Sequence, residues 1–491
     1  MSATPAPYET VIGLECHVEL ATRSKMFCGC DATHFGAPPN TLVCPVCLGL
    51  PGALPVPNRR AIELAIAAGI ALNCRTPEHT KFDRKNYLYP DLPKGYQISQ
   101  FDLPLSVEGW LEVPAGAGGT KRVGIRRAHL EEDTGKLLHA GQGDARYSLV
   151  DFNRSGVPLL EIVSDPDLSS SAEALAYLDA LREILIFAGV SAFRLEEGAG
   201  RFDVNVSIRF DEDGATRWPP QSEIKNLNSF RAVEEAVAYE SARLWDEWRA
   251  GGALRTRTSK VTVGWSPERG RTYPQRTKEE VDDYRYFPEP DLVALSPSRE
   301  TVAALRAALP EMPRARRARF ARDYGLSEYD ARVLVSDRAL ADWYEEAARA
   351  APSQAKAVAN WVTGELLRFL KENGVALADA RIRPTQLAAL VRLVAAAEIS
   401  GPTAKQVFAE MWRTGDDPAA IVKARGLTQV SDEAAIAEAV DTVMAESAAA
   451  VAAYRAGNER ALGALVGAVM KRTGGRASPP LVNRLIRERL A

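Results

Sequence analysis

The sequence predicts an α+β chain, with a mixed or antiparallel sheet in its N-terminal part and helices alone after it. Three observations carry this. Several stretches before residue 295 alternate apolar and polar residues with a period of two, the mark of strands with one buried face. After about Leu295, glycine and β-branched residues thin out while alanine, leucine and arginine rise, as in packed helices. Ser400-Gly-Pro402 then breaks the helical part in two. A chain of 491 residues suits about three domains, expected at 1–294, 295–401 and 402–491.

The first strand is Val11-Ile-Gly-Leu-Glu-Cys-His-Val-Glu-Leu20. Ile12, Leu14, Cys16, Val18 and Leu20 share one face, and Gly13, Glu15, His17 and Glu19 share the other. A solvated face is the plain reading. Two carboxylates flanking an imidazole also suit a hard cation. The same alternation recurs in Arg201-Phe-Asp-Val-Asn-Val-Ser-Ile-Arg209, which puts Asp203 on a polar face. His129 and Glu131 share a face of His129-Leu-Glu-Glu-Asp133, and Glu161 is the only charge in Pro158-Leu-Leu-Glu-Ile-Val163. A carboxylate in such an apolar run needs a cation or a hydrogen-bond donor. These strands are expected in one sheet, pooling their acids around a metal.

Between the first strand and residue 56, Cys28-Gly-Cys30 is followed by Cys44-Pro-Val-Cys47. Two close cysteine pairs on separate turns build a tetrahedral thiolate zinc site, structural because all four positions are filled. His34 is a weaker ligand candidate, and Cys16 and Cys74 read as core residues. Asn58 caps a helix to about Leu72. The stretch Lys81–Gln100 is polar, cationic and aromatic; it reads equally as a surface connection and as a holder of an anion or a base. Ser171 opens a helix that stops at Gly189. Ser222–Phe230 leads into a long helix capped at Asn228 or Ser229, which places Lys225 near a helix N-terminus that favours phosphate, or leaves it an ordinary surface lysine. Leu254–Trp265 reads as strand.

In the helical part, Arg314, Arg316, Arg317, Arg319 and Arg322 cluster, which a solvated helix face also explains. From Arg455 onward, Arg455, Arg460, Lys471, Arg472, Arg476, Arg484, Arg487 and Arg489 stand against Glu459 and Glu488, a local excess that suits an RNA backbone. The whole chain carries a net charge of -3, so no overall field draws in nucleic acid. The N-terminal MSATPAPYET has no signal-peptide pattern, no apolar run is long enough for a membrane span, and six cysteines make no disulfide framework. The cytoplasm is therefore expected. There is no phosphate-binding Gly-Lys-Ser/Thr loop and no Gly-x-Ser-x-Gly elbow. The residues alone point to a metal-dependent enzyme acting on a phosphate ester, with a helical binding tail.

Longer motifs narrow this. Val-Ile-Gly-Leu-Glu-x-His-Val-Glu-Leu at 11–20, Lys-Phe-Asp-Arg-Lys-Asn-Tyr at 81–87 and Tyr-Pro-Asp-Leu-Pro-Lys-Gly-Tyr-Gln-Ile-Ser-Gln at 89–100 occur together. So do His-Leu-Glu-Glu-Asp at 129–133, Leu-Leu-Glu-Ile-Val-Ser at 159–164, Glu-Ile-Lys-Asn-Leu-Asn-Ser-Phe at 223–230 and Asp-Tyr-Arg-Tyr-Phe-Pro-Glu-Pro-Asp at 283–291. Across essentially its whole length the chain resembles the B subunit of the glutamine-dependent aspartyl/glutamyl-tRNA amidotransferases.

The resemblance implies a catalytic cradle, a helical domain and a small tRNA-binding tail. It implies phosphorylation by ATP of the side-chain carboxylate of misacylated Asp-tRNA(Asn) or Glu-tRNA(Gln), then amidation by ammonia. The ammonia would come through a channel from a glutaminase A subunit, with a C subunit completing a heterotrimer; an aspartyl- or glutamyl-tRNA synthetase is a further implied partner. Carried over, Glu15, His17, Glu131, Glu161 and Asp203 would hold Mg²⁺ and orient phosphates, with Glu132 the alternative to Glu131 if the ladder is shifted by one. Lys85 and Lys94, and more weakly Lys225, would face ATP or the tRNA end. Cys28, Cys30, Cys44 and Cys47 match a zinc knuckle. Cys16, Phe202 and Thr134 depart from the usual valine, cysteine and alanine, and none is a proposed ligand.

Overall fold

The structure is a computed structural model that describes residues 7–115, 118–141, 146–254, 260–275, 284–428, 433–456, 458–474 and 477–490. It is α+β and divides into two compact units, Met1–Met312 and Pro313–Ala491.

In the first unit the strands are β1 (Glu9–Glu19), β2 (Asp83–Asn86), β3 (Tyr96–Ser99), β4 (Ser106–Pro114), β5 (Thr120–Glu132), β6 (Lys136–Ala140) and β7 (Tyr147–Asp151). They continue with β8 (Pro158–Ser164), β9 (Gly200–Glu212), β10 (Ala215–Arg217), β11 (Ser222–Leu227), β12 (Val261–Ser266), β13 (Arg271–Pro274) and β14 (Phe287–Pro288). Nine of these form one sheet in the order β13-β12-β11-β9-β1-β8-β5-β4, with β10 beside β9. The pairing is antiparallel except between β11 and β12, so the sheet is mixed.

The helices of this unit are α1 (Arg59–Ala71), α2 (Ser171–Phe187), α3 (Phe230–Arg249) and α4 (Arg299–Ala308). Ile12, Leu14, Cys16 and Val18 of β1 and Phe202, Val204, Val206 and Ile208 of β9 are buried against Tyr177, Leu178, Leu181, Val233, Ala236 and Val237. Burying that apolar face is the main force holding the sheet, and it leaves the alternate residues on the opposite face. Asn58 caps α1, accepting from the amides of Arg60 and Ala61, and Ser229 caps α3 through Ala232 N. The cap of α2 is Ser170, one residue ahead of the expected start. Val302, Leu305 and Leu309, beyond the change in composition at Leu295, still pack on this core.

Two stretches differ from expectation. Lys81–Gln100 contains strands β2 and β3, which join β14 in a separate three-stranded sheet. Ser222–Leu227 is strand β11 rather than a lead into a helix, because Ile224 and Leu227 enter the core while the backbone pairs with β9 and β12. The strand expected over Leu254–Trp265 is seen as β12, with 255–259 outside the described residues, as are Asp283 and Arg476.

The second unit holds α5 (Pro313–Tyr324), α6 (Glu328–Leu334), α7 (Arg338–Ala350), α8 (Ala355–Trp361), α9 (Leu367–Asn373), α10 (Pro384–Ala395), α11 (Gly401–Thr414) and α12 (Pro418–Arg425). It ends with α13 (Glu433–Glu446), α14 (Ala448–Arg455), α15 (Arg460–Arg472) and α16 (Pro479–Leu490), which enclose their own core around Val440, Leu465, Val469, Val482 and Ile486. No helix among the described residues is long and apolar enough to cross a membrane.

Candidate active site

The open face of the sheet gathers the acids. Register places His17 of β1 opposite Glu161 of β8, and Glu161 opposite His129 of β5. His17 Nε2 lies 3.2 Å from Glu161 and 3.8 Å from Glu131; His129 Nε2 lies 3.6 Å and 3.8 Å from the same two acids. His129, Glu131 and Glu161 are buried. Burial opposes ionisation of both carboxylates, yet the neighbouring imidazoles and Lys85 hold Glu131 below and Glu161 well below the ordinary range. Burial likewise opposes protonation of His17, but its hydrogen bond to Glu161 and the charges of Glu161, Glu131 and Asp203 raise it to about 9.

A second group adjoins the first. Glu15 stands opposite Asp203 of β9, and Glu223 of β11 opposite Asn205. Asn205 Nδ2 donates to Glu15 Oε1 at 2.9 Å. Lys225 Nζ lies 2.5 Å from Asp203 and 3.7 Å from Glu223, and Lys260 Nζ lies 3.5 Å from Glu223. The five expected residues thus share one sheet face as two groups: His17 with Glu131 and Glu161, and Glu15 with Asp203 and Glu223, each with ligand atoms within 4.8 Å of one another. Glu223 was not among the residues expected from sequence. Its signal was the alternation Glu223, Ile224, Lys225, obscured by the helix cap that follows.

The three lysines part company. Lys85 on β2 has its Nζ 5.0 Å from the centre of the Tyr284 ring. Burial disfavours its charge, but Glu131, Tyr286 and Glu161 together raise it above the usual lysine value. Lys94 pairs instead with Glu132 at 2.5 Å, in a cavity of about 210 Å³ lined also by Phe27, Cys47 and Tyr96. Glu132 accepts in addition from Ile98 N, so it is turned away from the histidines. Lys225 is on a strand and tied to Asp203, not at the N-terminus of α3, which begins at Phe230.

Cys28, Cys30, Cys44 and Cys47 bring their sulfurs within 4.8 Å of one another, and the Cys44 and Cys47 sulfurs are 3.9 Å apart. Tetrahedral zinc with bonds of about 2.3 Å requires sulfurs about 3.8 Å apart, so the set fits the ion. Cys44 N donates to Cys47 Sγ at 3.1 Å, and the buried ammonium of Lys25 lies 3.7 Å from that sulfur. The hydrogen bond from Cys28, the Cys44 amide and the Lys25 charge lower Cys47 to about 4 against its burial. His34 bonds Glu19 at 3.1 Å instead of joining the cysteines. Cys16 and Cys74 are buried in the core. At the other site, two ionised buried carboxylates and an imidazole, with His129 Nδ1 buried and unpartnered, suit a Mg²⁺- or Mn²⁺-like ion.

Comparison with known proteins agrees across the chain. The family model of the GatB/GatE catalytic domain matches residues 10–303, and that of the GatB domain matches 342–490. Over 483 residues the chain is 52% identical to the B subunit of the aspartyl/glutamyl-tRNA(Asn/Gln) amidotransferase of Thermomicrobium roseum, covering 98% of this chain and 99% of that protein. It is 51% identical to the corresponding B subunit of Carboxydothermus hydrogenoformans, covering 99% of each. For that of Moorella thermoacetica the identity is 50%, over 98% of this chain and 100% of the other. The chain belongs to the B-subunit family of the aspartyl/glutamyl-tRNA(Asn/Gln) amidotransferases.

Proposed function

We propose that this chain is the ATP-dependent transamidating subunit for Asp-tRNA(Asn), Glu-tRNA(Gln) or both. The observation that carries the reading is the convergence of His17, Glu131 and Glu161 from three strands, with ligand atoms within 4.8 Å of one another, beside the ammonium of Lys85 on the Tyr284 ring. In the first step a carboxylate oxygen of the aminoacyl side chain attacks the γ-phosphorus of ATP, and the bond to ADP breaks. In the second, ammonia attacks the acyl carbon and gives up a proton; the carbon–oxygen bond breaks and phosphate leaves with its electron pair. Both reacting partners of the first step are anions, so catalysis is chiefly positioning and charge screening. Lys85 screens the phosphoryl oxygens from one side. Magnesium, held by Glu131, Glu161 and a His17 that has given up its Nε2 proton, would supply further neutralisation of those oxygens. In the adjoining wall Lys225 bridges Asp203 and Glu223, and Glu15 stands opposite Asp203.

The zinc knuckle is structural in this reading. The final helices, with exposed cations on α15, bind the tRNA body, so that the first unit, through Met312 and therefore past the expected end at 294, forms the catalytic cradle, and α13–α16, with their own core, form the tail. A glutaminase A subunit supplies ammonia and a C subunit completes a cytoplasmic heterotrimer. The test is amidation of each misacylated tRNA by the assembled complex, with glutamine and then with ammonium chloride. ATP-dependent amide formation from both nitrogen sources is expected. ATP consumption indifferent to tRNA would instead indicate a metabolite ligase, and amidation that survives loss of Glu161 would indicate a tRNA-binding scaffold.

A further inference from the structure

The stretch around Arg285 contains a backbone oddity beside the site. Arg285 has φ +44°, in the left-handed region that a residue with a Cβ seldom occupies. Such outliers persist only when their surroundings hold them, and they concentrate at functional positions. Here the holder is Asn86 on β2. Its side-chain amide donates to Tyr284 O at 3.0 Å and to Arg285 O at 2.8 Å. The turn sets the rings of Tyr284 and Tyr286 edge to face at 6.0 Å. Tyr284 faces the Lys85 ammonium at 5.0 Å, and Tyr286 stacks on Phe101 at 4.2 Å.

The charge arrangement explains what the turn is for. Lys94 and Lys225 each have a carboxylate at 2.5 Å. Among the described residues no carboxylate lies within 4.0 Å of Lys85, which meets the face of an aromatic ring instead. A ring face attracts an ammonium without using its hydrogen-bond donors as a carboxylate would. Lys85 therefore keeps those donors for an incoming anion.

We propose that Asn86 is a positioning residue: by holding Arg285 in its left-handed turn it places Tyr284 and Tyr286 so that Lys85 stays fixed and open to the phosphates of ATP. This rests on the function proposed above. A second anchor of the same segment, Arg84 on Glu289 and Asp291, holds the residues that follow the turn.

The assay is amidation by the assembled complex with saturating misacylated tRNA and ammonium chloride. Asn86→Ala is expected to raise the KM for ATP about tenfold, the worth of one to two lost hydrogen bonds, while the KM for tRNA stays put. Arg285→Val, whose β-branched side chain opposes a positive φ, should do the same. Measured against Arg285→Gly alone, the double variant Asn86→Ala/Arg285→Gly should show little further rise in KM, because glycine takes the turn without help. A second readout needs no turnover: Asn86→Ala should change the labelling rate of Lys85 by an amine reagent in the isolated chain. An unchanged KM for ATP, or an Asn86→Ala effect undiminished on the glycine background, overturns the proposal. If the wild-type complex uses no ATP, the reaction assignment fails, and the labelling arm alone then decides the latch: unaltered labelling refutes it.

Discussion

Glu161→Gln is the most informative single change. The substitution keeps the shape of the side chain and removes one charge from a buried group in which Glu161 meets His17 at 3.2 Å and His129 at 3.6 Å. At 3.2 Å and an effective dielectric near 20, a unit charge facing Glu161 gains about 5 kcal/mol, and a divalent ion that displaces the His17 proton would meet the carboxylate with at least that attraction. The side chains of His17 and Glu161 are only 19% and 10% exposed, so solvent screening removes little, and the carboxamide dipole recovers part. A net loss of about 3 kcal/mol follows, which is roughly a hundredfold in affinity for a divalent ion. Mn²⁺ binding by titration calorimetry and amidation by the assembled complex are the two measurements. Both should fall about a hundredfold or more, while tRNA affinity stays near wild type. Unchanged Mn²⁺ affinity would refute the assignment of this group as the cation site, whatever happened to activity.

Three further outcomes are expected. Cys44→Ser should drop zinc content from about one equivalent per chain to near none and lower the thermal midpoint, read by metal analysis and calorimetry. Glu345→Gln should destabilise the helical unit by about 3 kcal/mol, because Arg316, Arg319 and Arg349 converge on that carboxylate. Those arginines depress Glu345 from 4.5 to about 2 against its burial, so its contribution is complete above pH 4.5 and fades as pH falls toward 2; the stability gap between variant and wild type, read by urea unfolding, should narrow over that range. In the tail, Arg472, Arg484 and Arg489 already pair with Glu446, Glu433 and Asp441. Arg460 and Lys471, exposed and about three turns apart on α15, should therefore matter more: replacing both by alanine should weaken tRNA binding and reduce its salt slope by roughly two, while Arg484→Ala should leave the slope unchanged.

What was legible in the sequence was whatever local period could express. β1 declared both its faces because five apolar residues alternate with Glu15, His17 and Glu19, and β9 did so for Asp203. Glu161 stood out as a charge among apolar neighbours. What stayed hidden depends on partners far along the chain. β2 and β3 are short and polar, and β14, which completes their sheet, lies some two hundred residues on. β11 takes its strand character from β9 and β12, so Glu223 escaped notice and Lys225 was placed at a helix start. The resemblance set Lys94 towards ATP or the tRNA end; the carboxylate beside it, Glu132, comes from another strand and was not legible locally. The arginines of α5 offered a solvated face as one reading; Arg316 is buried because Glu345 of α7 awaits it.

The cross-strand row His17, Glu161, His129 has a consequence for how this chain matures. Its members come from three strands, and a slip of β1 by one residue would present Leu14, Cys16 and Val18 where carboxylate and imidazole belong. With the cation site proposed above, capture of a divalent ion would act as a proof-reading signal for strand registration: a correctly threaded sheet would bind it, and bound ion would disfavour misthreaded alternatives.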